Sequence, residues 1–102
     1  MTAIMCGNDQ MAVAAKTALN LANNDQTVVY SVDGSPDIKK ELMKADSQIA
    51  GTVAQSPINI GKKAVDIALN ALDGKDFEAE TAIEVFMINK DNVEMYGADG
   101  WQ

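Results

Sequence analysis

Thr27-Val28-Val29-Tyr30-Ser31-Val32-Asp33-Gly34-Ser35-Pro36-Asp37 is the stretch whose reading decides the fold. Thr27 to Val32 is rich in β-branched side chains and reads as a strand buried on both faces. Asp33-Gly34-Ser35-Pro36 is a turn. Ser35 suits a helix N-cap, and Pro36 suits the first helical position, where a missing N–H costs nothing. A short helix follows, from about Asp37 to Lys44. A buried strand that runs through a tight polar turn into a helix is half of a βαβ unit.

The same pattern recurs on both sides. Upstream, Ala3 to Cys6 is a short apolar run, and Asn8 or Asp9 can cap the element after it. Met11, Ala14, Ala15, Ala18, Leu19 and Ala22 then recur at helical spacing, and Asn23-Asn24-Asp25 ends that helix. Downstream, Gln48 to Ala54 is a third strand, and Ser56-Pro57 repeats the cap-and-proline start. Ile60, Ala64, Val65, Ala68, Leu69 and Leu72 form an apolar stripe, with Gly74 as its stop. Lys75 to Glu80 is a charged connector. Thr81 to Ile88 reads as a fourth strand, interrupted by Glu84. Lys90 to Tyr96 adds a helical turn, with Asn92 as its cap, and the tail from Gly97 to Gln102 has no periodicity. This alternation predicts the α/β class: a mostly parallel sheet with flanking helices and right-handed crossovers.

Composition narrows the function classes. The 102 residues suit one modest domain. Only 5% are aromatic, so the core must come from Ala, Val, Ile, Leu and Met, and the six Met read as core filler. The net charge is −7, with eight Lys and no Arg, which argues against nucleic acid and anionic membranes. The absence of His removes the commonest general base and metal ligand. The single cysteine, Cys6, excludes an intrachain disulfide and reads as a small buried hydrophobe. No nucleophile–base pair, phosphate-cradling glycine loop or metal-ligand spacing is present. The chain therefore reads as a protein without catalytic activity, cofactor or metal. No stretch has the pattern of a signal peptide or a membrane-spanning helix.

Three polar residues each follow an apolar run and precede a helix start: Asn8, Asp33 and Gln55. In an open parallel sheet they fall at the carboxyl ends of strands, where ligands bind. Two amides and a carboxylate suit a neutral polyhydroxylated ligand. Singly, each has a local alternative: Asn8 as a cap, Asp33 as a turn residue, Gln55 as ordinary loop polarity. Jointly, three at one edge of one sheet favour a site. Asp9 reads as a cap or a helix-dipole charge, not an acid catalyst. Trp101 has two readings, a stacking face for a sugar or packing against the body, and the second is preferred.

The segments 3–12, 30–37 and 49–57, in this order and at this spacing, resemble the C-terminal part of sugar-type periplasmic binding proteins of the ribose-binding group. The first segment also resembles the effector domains of lac-repressor-like regulators; Asp33-Gly34-Ser35-Pro36-Asp37 and Val53-Ala54-Gln55-Ser56-Pro57 favour the transport proteins. The resemblance implies a Rossmann-like, type I periplasmic-binding-protein fold. It implies sugar-hydroxyl contacts by Asn8, Asp33 and Gln55, an ABC permease as membrane partner, and a periplasmic or lipoprotein-anchored location. Intact members are much longer, with two lobes, and arginines and aromatics from the earlier part of the chain also hold the sugar. Here there is no Arg and no aromatic before Tyr30. The chain is therefore expected to be a fragment. Residues 1–55 would belong to the lobe carrying the motifs, 56–89 to the other lobe, and 90–102 to a returning tail. Uncovered faces would drive homo-oligomerisation, and sugar binding by the fragment would be weak or absent.

Overall fold

Strand β2, Val28–Asp33, lies between β1, Ala3–Met5, and β3, Ile49–Ala54, and pairs parallel to both. The computed structural model describes residues 2–97 and 99–101. The sheet order is β1-β2-β3-β4, with β4 at Phe86–Asn89. Helix α1, Asp9–Leu21, connects β1 to β2, and α2, Pro36–Leu42, connects β2 to β3. The two helices touch each other and pack over β2 and β3. The strand–turn–helix reading therefore holds at each of these junctions.

The helix starts follow their capping residues. Asn8 is extended and accepts from the Met11 N–H at 2.8 Å, so Asn8 is the cap and Asp9 the first helical residue. Ser35 and Ser56 cap α2 and α3, Pro57–Leu72, and each precedes a proline. The core is aliphatic: Val29, Ile38, Leu42, Ile49, Ala54, Ile88 and Val93 are buried with Ala12 and Leu19. Cys6 is half-buried against it.

Three expectations need correction. β2 is not buried on both faces: Val29 and Ser31 are buried, Val28 is exposed, and Tyr30 and Val32 are half-buried. The helical layer of α1 and α2 covers the face that carries Val29 and Ser31. The methionines are not core filler; Met5, Met11, Met43, Met87 and Met95 are exposed, and Met1 lies outside the described residues. The branched aliphatics already fill the core positions. The fourth strand is shorter and later than Thr81 to Ile88, and it runs antiparallel to β3. Its first residue, Phe86, pairs with Ala54, the last residue of β3. The chain thus re-enters the sheet at the end it left.

That path makes α3 an excursion and not a crossover. Its 16 residues extend about 24 Å, and none is buried. The Cα radius of gyration is 17.0 Å, against about 13 Å for a compact chain of this length. After β4, helix α4, Val93–Tyr96, returns to the core through Val93, and Tyr96 stacks on Phe86 at 5.1 Å.

Candidate functional site

The carboxyl ends of β2 and β3 bring Asp33 and Gln55 together. Gln55 donates through Nε2 to Asp33 Oδ1 at 3.1 Å, and its backbone N–H donates to the Asp33 carbonyl at 3.1 Å. Both residues line an open groove of about 680 Å³ with Pro57, Ile58, Ile60 and Trp101. A carboxylate and an amide on an apolar, partly aromatic wall match the general make-up of small-molecule sites. Trp101 is 44% exposed on the groove wall, so the expected packing against the body is partial.

Asp33 is held in an unusual conformation. Its φ is 133°, a region that costs a non-glycine residue about 1–3 kcal/mol. Gly34 follows at φ 79°, and its N–H donates to Thr52 Oγ1 at 3.2 Å. The strain turns the chain sharply at the end of β2, and the two bonds from Gln55 support it.

Asn8 stands apart. It follows β1 on the same sheet edge but does not line the Asp33–Gln55 groove. Its amide oxygen is occupied by the α1 cap, so the amide nitrogen is what it can offer a ligand.

Two other polar groups organise this edge. Asp9 is buried, and its carboxylate accepts from Ser31 Oγ at 2.6 Å, Thr52 Oγ1 at 2.8 Å and the Ser35 N–H at 2.7 Å. It therefore ties α1 to β2, to β3 and to the start of α2, a role beyond a cap or a dipole charge. Lys39 on α2 is fully buried, and its Nζ donates to the carbonyl of Gly100 in the tail. Burial pushes its ammonium below the ordinary lysine value, and Asp99 acts against that shift. Neither had a distinguishing sequence signal: Asp9 sits where a cap would, and Lys39-Lys40 looks like a solvated helix face.

A second groove, of about 510 Å³, lies between α1 and α2. Glu41 and Lys44 on its wall are paired with each other at 3.0 Å. Asp9, Glu41 and Lys44 on its wall are committed internally, and the remaining charged groups, Asp37 and Lys40, suit it poorly to a neutral polyol.

A model of the periplasmic binding protein domain matches residues 1–76. The chain belongs to the periplasmic binding protein family. The ribose import binding protein RbsB of Salmonella typhimurium is 34% identical over 88 residues, covering 86% of this chain and 29% of that protein. The D-allose-binding periplasmic protein of Escherichia coli is 32% identical over 89 residues, covering 85% and 28%. Among solved structures, an ABC transporter solute-binding protein from Agrobacterium vitis with bound allitol matches with a TM-score of 0.87 at 29% identity. That match covers 94% of this chain and 33% of the other. A solute-binding protein from Bacillus halodurans with bound myo-inositol gives 0.84 at 28%, covering 96% and 33%. This periplasmic binding protein chain thus spans about a third of the length of the relatives it matches. Its fold class, an α/β sheet with flanking helices, is theirs.

Proposed function

We propose that this chain supplies one wall of a sugar-binding cleft in the solute-binding component of an ABC-type importer, with Asp33, Gln55 and Asn8 as the groups that bind sugar hydroxyls. The observation that carries the reading is the Asp33–Gln55 pair, hydrogen-bonded on an apolar groove wall beside the strained turn at the end of β2. Strain held at a polar strand end is the mark of a pre-organised site. Relatives named for ribose and allose, and a structure with bound myo-inositol, support a monosaccharide or cyclic polyol as ligand. They favour transport over a lac-repressor-like regulator and a binding role over a catalytic one. An ABC permease partner and an extracytoplasmic location belong to the same reading.

In this reading the chain carries pieces of two lobes. Residues 1–55 form the lobe with the ligand groups, and the tail 90–102 returns to it. Within 56–89, α3 and the connector through Val85 serve the other lobe, while β4 hydrogen-bonds back to β3. Alone, the chain self-associates and binds sugar more weakly than micromolar. Titration of the ¹⁵N-labelled chain with millimolar D-ribose, D-allose and myo-inositol tests the site. Shifts confined to the neighbourhood of Asp33 and Gln55, and abolished by Asp33→Ala, are expected. No shift with any of the three sinks the reading.

A further inference from the structure

We propose that Lys39 is a positioning residue: it latches the C-terminal tail so that Trp101 forms the apolar platform of the Asp33–Gln55 groove. This rests on the sugar-binding reading for the ligand, but not for the latch.

Three observations converge. Lys39 is fully buried on α2, where an unpaired ammonium is costly. Its Nζ donates to the carbonyl of Gly100, and Asp99 supplies the opposing charge. The next residue, Trp101, lines the groove with Asp33 and Gln55. The lysine and the carbonyl it holds are 61 residues apart, so the bond closes the tail onto the body. Among the described tail residues from Gly97 on, no other hydrogen bond ties the tail to the body. An indole ring presents a broad apolar face with one polar edge. In one groove with a carboxylate and an amide, it completes the division of labour a pyranose requires: C–H face on the ring, hydroxyls on the polar pair. Lys39 reaches no ligand itself. Its ammonium satisfies one carbonyl and thereby sets where the ring stands.

The test reads Trp101 directly, because it is the only tryptophan in the chain. Lys39→Met keeps the buried stem and removes the ammonium. Without sugar, it is expected to red-shift the tryptophan emission and increase acrylamide quenching, with the far-ultraviolet circular dichroism unchanged. Asp99→Asn, at the exposed tail, is expected to move both readouts the same way by less, and it serves if Lys39→Met fails to fold. Unchanged emission and quenching in the folded variants overturn the latch. With D-ribose or D-allose, Trp101→Ala is expected to weaken binding roughly tenfold. Binding that is lost in Asp33→Ala but unaltered in Trp101→Ala overturns the platform and leaves the sugar site standing. Absence of binding to the unaltered chain, with the emission still moved by Lys39→Met, overturns the sugar site and leaves the latch.

Discussion

At the scale of single residues, Asp9 carries more of the architecture than any ligand candidate does. One buried carboxylate satisfies two hydroxyls and a backbone N–H from three different elements. Asp9→Ala leaves those donors without their acceptor, so a loss of about 3 kcal/mol is expected from urea unfolding. Glu41 gives a pH-dependent counterpart. Burial pushes its carboxyl upward, but hydrogen bonds from Lys16, Lys44 and Ser47 outweigh that and hold it below the ordinary value of 4.5. A depressed carboxylate contributes stability that is present above its unfolded value and lost as pH falls through the folded one. The stability gap between the unaltered chain and Glu41→Gln should therefore be full at neutral pH and close as the pH drops below about 4.5. A gap that persists at pH 2 removes Glu41 as its source.

Elements differ in how firmly the rest of the molecule holds them. The turn from β2 to α2 tolerates no side chain at Gly34. A Cβ there would lie 2.7 Å from Ala54 Cβ and 3.0 Å from Ala54 Cα, at a φ of 79°. Gly34→Ala should cost more than about 2 kcal/mol, read as a fall in the urea midpoint. Gly61 in α3 is the contrast, since nothing lies within 4 Å of its Cβ position. There the substitution meets only helix propensity. Gly61→Ala should slow amide exchange across α3 about fivefold while leaving β2 and β3 unaffected. Even so, α3 should exchange faster than the central strands, because it buries no residue.

For the whole molecule, the exposed apolar stripe of α3 is decisive. Val65, Leu69 and Leu72 are exposed on a helix that projects from the body, and Phe77 and Val85 are exposed in the segment after it. Exposed apolar stripes of this kind mark interaction surfaces. Size exclusion with light scattering at micromolar concentration should show self-association, and Val65→Lys combined with Leu69→Lys should disperse it. A stable monomer before substitution would end that expectation. The strand–helix alternation, the serine–proline helix starts and the placing of Asn8, Asp33 and Gln55 at one sheet edge were legible in the sequence alone. All rest on periodicity and capping within a few residues, which neighbouring side chains determine locally. What only the tertiary structure decided involves residues far apart in the chain. These are the return of β4 antiparallel to β3, the pairing of Asp33 with Gln55 but not Asn8, and the burial of Asp9 and Lys39. A strand's apolar pattern carries no direction, and a lysine or aspartate on a helix carries no mark of what will cover it. The return of β4 follows from where α3 carries the chain, the cover on Lys39 from the tail, and the Asp9 and Asp33–Gln55 contacts from the pairing of β2 with β3, all made only once the sheet has assembled.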